Sequence, residues 1–88
     1  IESYGEFNPN MTFVYNSYAN ILTSKKEYKS AIELLEKSLI IREQTYGKKH
    51  KWTCESNYKL ASVLVLDKQF DEAIHYYKQA IDIGEHIN

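Results

Sequence analysis

Three histidines, His50, His75 and His86, and one cysteine, Cys54, are the side chains of this sequence best suited to metal or nucleophile chemistry. Their spacing argues against both. On a helix, His75 and His86 stand eleven positions apart, close to three turns, which puts them on one face but ~16 Å apart along the axis. One ion cannot bridge that gap, and no other ligand cluster accompanies them. Cys54 has Glu55 beside it and Lys51 one turn back, a setting that reads as a structural or incidental thiol rather than a nucleophile. No glycine-rich phosphate loop and no Ser/His/Asp arrangement is visible. What remains is the chemistry of non-covalent contact. The eight tyrosines combine apolar area with a polar tip. Tyr15, Tyr18, Tyr28 and Tyr77 occupy packing places and read as core. Tyr4, Tyr46, Tyr58 and Tyr76 are freer, and Tyr58 is the leading candidate for a ligand contact. Trp52 is expected either to pack under the Gly47 turn or to sit exposed at an edge.

The elements that must position these side chains are helices. Gly5, Gly47, Gly84 and Pro9 are the only residues of the two breaker types, which favours long helices with short connections. Four are predicted, at about 9–23, 28–46, 51–66 and 70–87. The second carries the stripe Ala31, Ile32, Leu35, Leu39 and Arg42, close to amphipathic spacing. Asn8-Pro9 reads as an N-cap followed by the first helical position, where proline's missing donor goes unmissed. Gly47 stands where a left-handed C-cap is needed, and Gly5 holds the equivalent place earlier. Gly84 lies inside the last helix and weakens it by roughly 1 kcal/mol relative to alanine. Asp71 and Glu72 place negative charge in that helix's first turn, which its dipole favours. No strand-like alternation competes.

The helical text is written twice, 42 positions apart. Tyr4-Gly5 returns as Tyr46-Gly47, Ala19 and Leu22 as Ala61 and Leu64, Lys26-Glu27-Tyr28 as Lys68-Gln69-Phe70, Ala31-Ile32 as Ala73-Ile74, and Ile41 with Glu43 as Ile83 with Glu85. A period in this range signals stacked units that cannot bury their apolar faces singly. Three segments follow: residues 1–7 as the tail of a preceding unit and a linker, 8–47 as the first unit, and 48–88 as the second. Residues 1–5 align with 43–47, and Asn88 aligns with Tyr46, so the chain is expected to be a window cut from a longer array. Two bare copies are then expected to expose apolar edges and to self-associate.

Composition narrows the function classes. The chain has 88 residues with 11 basic and 12 acidic side chains, a net charge of −1. That leaves no electrostatic footprint for nucleic acid or an anionic membrane surface. Its apolar runs are far shorter than the ~20 residues of a membrane span. No signal segment opens the sequence, although it begins with Ile1, so its natural start is expected to lie elsewhere. A single thiol suggests a reducing, cytoplasmic compartment. Neither cofactor nor metal is expected.

The pattern resembles the tetratricopeptide repeat (TPR) family over essentially the whole chain. Each unit of that family is a helix pair with a small residue in its first helix, an aromatic opening the second, and an alanine three residues later. Those places hold Ala19 and Ala61, Tyr28 and Phe70, and Ala31 and Ala73. The long period, Gly47-Lys48-Lys49-His50 with Gly5-Glu6-Phe7-Asn8, and the segment Ser38 to Gly47 resemble the kinesin-light-chain-like variety. Two departures stand out: the aromatic early in the first helix is Tyr15 in copy one but Asn57 in copy two, and Lys51 follows His50 where proline is usual. The resemblance implies an all-α fold of two antiparallel helix-turn-helix units, four helices stacked as part of a right-handed α-solenoid. It also implies a non-catalytic scaffold that holds a protein or peptide partner in a groove lined by the first helices. Carried over by position, the groove residues are Phe13, Asn16, Asn20 and Thr23 in copy one, and Glu55, Tyr58, Ser62 and Val65 in copy two. Asparagine suits a peptide backbone because its amide donates and accepts at once. The plain alternative is that these are the polar faces of solvated helices, in a segment that only shapes or oligomerises a larger protein. Asn16 and Lys59 stand where the chaperone-gripping clamp of the family wants lysine and asparagine, so that subclass is not supported.

Overall fold

The computed structural model describes residues 8–87 of the chain, with side chains to His86. Tyr4, Gly5 and the expected preceding-unit tail lie outside the described residues. Four helices follow one another: α1 (Met11–Ser24), α2 (Tyr28–Tyr46), α3 (Lys51–Leu66) and α4 (Phe70–Ile87). No strand occurs among the described residues. The expected starts and stops of α2, α3 and α4 hold, and α1 begins two residues late. Its first turn is tighter than an α-helix: the Met11 and Thr12 amides donate to the Asn8 and Pro9 carbonyls, three residues back. The Asn8 side chain accepts from the Asn10 N–H at 2.9 Å, but the residue preceding α1 is Asn10, which makes no side-chain cap, and Pro9 lies in the turn before the helix rather than at its first position.

Each helix packs chiefly against its neighbours in sequence: α1 on α2, α2 on α3, α3 on α4. Alanines set the closeness of that packing. Ala19, Ala31, Ala61 and Ala73 are all buried, together with Leu22, Leu35, Leu60 and Leu64. The α2 stripe is buried throughout, including Arg42. The turns inside the two pairs are copies of one another. Lys26 and Lys68 both take left-handed backbone, with φ of 65° and 64°. Around each, two amides reach back into the preceding helix: Glu27 to Leu22 and Lys26 to Thr23, Gln69 to Leu64 and Lys68 to Val65. This is the Schellman closure, built here on lysine where glycine is the cheaper residue. Gly47 ends α2 with φ 91° and ψ 169°. That is positive φ, as expected, but extended rather than left-handed helical, a region essentially confined to glycine. Its carbonyl accepts from the Thr53 hydroxyl at 2.7 Å, which draws α3 back onto the loop.

One buried guanidinium joins the two pairs. Arg42 of α2 is fully buried against the rings of Phe13 from α1 and Trp52 from α3, which meet edge to face with centroids 5.4 Å apart, its Cζ lying 5.3 Å and 5.2 Å from those centroids. Its Nη1 donates to the Trp52 carbonyl (3.0 Å), Glu55 Oε1 (2.9 Å) and Ser56 Oγ (3.0 Å). Trp52 therefore packs, half-buried, on Arg42 and Phe13 rather than standing bare at an edge. The opposite side of the guanidinium, Nε and Nη2, has no hydrogen-bond partner.

Other corrections share one cause. Tyr18, expected in the core, is 54% exposed, and Phe70, the aromatic that opens the second helix of the second unit, is 56% exposed. The position 42 after Tyr18 is Leu60, which is buried because α2 covers it. No element lies in the corresponding place beside α1 among the described residues. Val14, Ile21, Ile74 and Ile81 are exposed at positions whose counterparts, Ser56, Val63, Ile32 and Leu39, are buried at the α2–α3 junction. Along α2, Glu36 has its carboxyl pKa raised, first by burial and then by the nearby Glu72 and Glu33 carboxylates.

Substitutions at three positions test these assignments by thermal and denaturant unfolding. Lys68→Gly removes left-handed strain worth about 1–2 kcal/mol and returns part of it as chain entropy, so a net gain of about 0.5–1 kcal/mol is expected. Arg42→Ala is expected to cost about 3–5 kcal/mol, whereas Arg42→Met, which keeps volume and strands no unpaired N–H, is expected to cost far less. Glu36→Gln is expected to stabilise the chain at neutral pH. Because the folded-state pKa is raised, stability falls as pH rises from the unfolded carboxyl value through the folded one, and the amide abolishes that loss. The gain should vanish in melts at about pH 3, where both states hold the proton.

Candidate functional site

α1 and α3, the first helices of the two pairs, face each other across an open cleft of about 190 Å³. α1 contributes Asn20 and Thr23. α3 contributes Tyr58, Lys59 and Ser62, with Leu35 of α2 and Val63 beneath. Four of the eight expected groove residues, Asn20, Thr23, Tyr58 and Ser62, thus share one cleft. The helix period brings this about, since Asn20 and Thr23 lie one turn apart on α1, as Tyr58 and Ser62 do on α3. Val65 follows one turn on and is 38% exposed. Two hydroxyls here are engaged locally: Thr23 Oγ1 donates to the Ala19 carbonyl (2.7 Å) and Ser62 Oγ to the Tyr58 carbonyl (3.1 Å). The Asn20 amide and the Lys59 ammonium have no hydrogen-bond or ion-pair partner among the described residues.

The other expected residues lie apart from this cleft. Phe13, 49% exposed, covers Arg42, and Glu55 gives that arginine its carboxylate, so both belong to the link between the pairs. Asn16 is a correction. It is only 7% exposed, and its Oδ1 is buried without a partner, so it presents no open amide to a ligand. The reason is positional: Asn16 shares the inner face of α1 with Thr12, Ala19 and Leu22, all buried. Asn57, the departure from the aromatic pattern, is likewise fully buried, its amide donating to the Thr53 carbonyl at 3.0 Å.

Tyr58, 57% exposed, also borders a second and more apolar cleft of about 460 Å³, between α3 and α4, with Cys54, Tyr77, Ala80 and Ile81. The Tyr58 and Tyr77 rings stand 6.2 Å apart. Reading the sequence for groove positions missed this cleft. The signal was present, because Tyr77 and Ile81 stand 42 positions after Leu35 and Leu39, which are buried beneath α3 in the first pair. Cys54 is a free thiol whose Sγ lies 3.3 Å from the Ala80 carbonyl, a helix-packing contact. The histidines are scattered in local roles. His50 caps α3, its Nδ1 accepting from the Trp52 N–H at 3.0 Å, and stacks on Tyr46. His75 pairs with Gln79, and His86 with the Asp82 carbonyl. Among the described residues no group of three His, Cys, Asp or Glu side chains could hold a metal ion, and no helix is long and apolar enough to cross a membrane.

Comparison with known proteins matches this geometry to a family. Two curated relatives are similar over 65 residues, 74% of this chain. One is the secreted RxLR effector protein RXLR-C07 of Plasmopara halstedii, at 37% identity. The other is the RxLR effector protein SFI4 of Phytophthora infestans (strain T30-4), at 34%. The matched segment is 20% of the first and 19% of the second, so the chain spans about a fifth of the length of these relatives. A family profile described as tetratricopeptide repeat matches residues 10–86, which takes in both helix pairs and the cleft between α1 and α3; the chain belongs to the tetratricopeptide repeat family.

Proposed function

We propose that this chain holds an extended peptide or a helix of a partner in the cleft between α1 and α3. Repeats of this family are typically protein–protein interaction scaffolds rather than catalysts. The observation that carries the finer reading is the convergence of Asn20, Thr23, Tyr58 and Ser62 on one cleft, with the Asn20 amide left without a partner among the described residues. Val65 extends the surface at one end. Phe13 and Glu55 continue it at the other, above the arginine link, with Asn16 as a buried support. The longer, kinesin-light-chain-like variety is favoured by the 42-residue recurrence of the Lys26 and Lys68 turns.

A second reading rests on its own observation. Val14, Tyr18 and Ile21 on α1, and Ile74 and Ile81 on α4, are exposed where their 42-residue counterparts are buried. Both outer faces therefore match halves of the junction already formed inside the chain. On this reading residues 8–47 and 48–88 are two links of a longer array, further units cover these faces, and the isolated chain self-associates through them. The lone thiol favours a cytoplasmic setting. The first relative's description as secreted supports the rival reading that the longer protein leaves the cell that makes it.

Filling the cleft tests the first reading. Asn20→Arg with Ser62→Arg places two long side chains across it on exposed helix faces. Proteins captured by the wild-type chain should be lost by the double variant, with helicity and melting temperature retained. Unchanged capture by a folded double variant would sink the cleft reading. For the second reading, sedimentation should show association that grows with concentration and is abolished by Ile81→Asp. A monomer at the highest concentrations reached would count against it.

A further inference from the structure

The two outer faces of the chain depart from the α2–α3 junction in matched ways. Inside the chain, Lys29 on α2 pairs with Asp67, the C-cap of α3, at 3.5 Å. Their counterparts on the outer faces, 42 positions on and 42 back, are Asp71 on α4 and Lys25, the C-cap of α1. Both signs are reversed, so opposite charge is kept between one face and the other. Asp71 is exposed and has no cation partner among the described residues, and Lys25 meets Glu27 at 3.5 Å with both side chains largely in solvent. The arginine link changes in the same concerted way. Arg42 becomes Gly84, and the two side chains that accept from it, Glu55 and Ser56, become Phe13 and Val14. The charge and its acceptors are lost together. A Cβ at Gly84 would meet nothing within 4 Å, which leaves room for a ring. Glu36 and Glu72, which repel each other between α2 and α4, become Lys78 and Ser30.

Each outer face also carries apolar side chains beside an open cleft. Tyr18, Leu22 and Leu34 border one of about 300 Å³ on α1 and α2, and Tyr58, Tyr77 and Ile81 one of about 460 Å³ on α3 and α4. If unrelated surfaces covered the two ends, each end would match its own neighbour and not the other. Sign reversal and loss of polarity on both faces at once is what contact between the two ends of identical chains requires. We propose that the chain associates head to tail with copies of itself, α1 of one copy seating on α4 of the next in the register that α3 takes on α2. Val14, Tyr18 and Ile21 of the second copy cover Ile74, Tyr77 and Ile81 of the first. Phe13 of the second copy rests over Gly84, and its Lys25 pairs with Asp71. This arrangement rests on the reading in which the outer faces associate, and adds the partner, the polarity and the register. The contact is heterologous: it leaves one face open at each end, so copies add beyond the dimer. Without a buried arginine it is held by apolar burial and by exposed ion pairs, and the latter are screened by salt.

The test follows mass against concentration by sedimentation equilibrium of the intact chain at low salt. Lys25→Glu and Asp71→Lys are measured separately and as an equimolar mixture. Ile81→Asp is the blocked control, Lys48→Glu, an exposed lysine of the α2–α3 loop, controls for net charge, and circular dichroism confirms that helicity is retained. Wild type should exceed the mass of a dimer as concentration rises. Each interface charge variant alone sets like charges together and should associate about three- to tenfold more weakly, whereas Lys48→Glu should stay within about twofold of wild type. Mixing Lys25→Glu with Asp71→Lys restores opposite charges at every contact of an alternating series, and should recover association to within about twofold of wild type. A two-fold dimer through one face would stop at dimer mass and answer to only one of the two variants. Association that Ile81→Asp abolishes, but that stops at a dimer, answers to only one interface charge variant or is not recovered by mixing, overturns the head-to-tail register and leaves association through the outer faces standing. A folded wild type that stays monomeric at the highest concentrations reached, or association indifferent to Ile81→Asp, overturns both.

Discussion

The guanidinium of Arg42 fixes how the second helix pair sits on the first. It touches α1, through Phe13, and the start of α3, through Trp52, Glu55 and Ser56, while belonging to the helix between them. A buried charge is expensive, and its neighbours offset the cost in complementary ways. Two aromatic faces replace part of its hydration. Glu55 reaches in from a partly exposed position to supply the counter-charge at 2.9 Å. The balance is incomplete, since Nε and Nη2 go without partners. Such a group specifies an arrangement more than it adds stability. What it specifies is the separation and register of α1 and α3, and hence the shape of the cleft between them.

Much of this was legible in the sequence. The period of 42, the scarcity of glycine and proline, and the alanines at fixed places set out four helices in two pairs, because local propensity and apolar spacing agree along the whole chain. The left-handed lysines were not legible, since nothing about lysine announces positive φ; the Schellman hydrogen bonds impose it. The role of Arg42 was half legible. It stood on the apolar stripe of α2, but its cluster with Phe13 and Trp52 joins residues from three helices and has no local signature. Tyr18 was misplaced for the converse reason: its type suits a core, and burial was assigned by type without asking whether an element lies opposite.

The candidate site was legible only in part, and the division is physical. Asn20, Thr23, Tyr58 and Ser62 lie where helix geometry alone puts them, and they converge. Asn16 fails because a face is decided by a few tens of degrees of helix rotation, set by packing against α2 that sequence position does not reveal. Lys59, a misfit to the clamp that wants asparagine at its place, lines the wall of this cleft. Tyr58 links the two clefts, because one ring borders both the α1–α3 cleft and the apolar cleft toward α4.

The packing of each helix on its sequence neighbours has a kinetic consequence. Every large interface in the described chain closes a loop of only a few residues, so little chain entropy is spent before the contacts that reward it form. Folding on the order of microseconds to milliseconds is the expected range for such local topology. Either pair can nucleate, and the other then grows onto it, because the Arg42 contacts between pairs are themselves short in sequence. A chain of this kind acquires the cleft between α1 and α3 late, at the step where those helices are brought together, and local opening of α1 would dissolve that cleft without unfolding the rest.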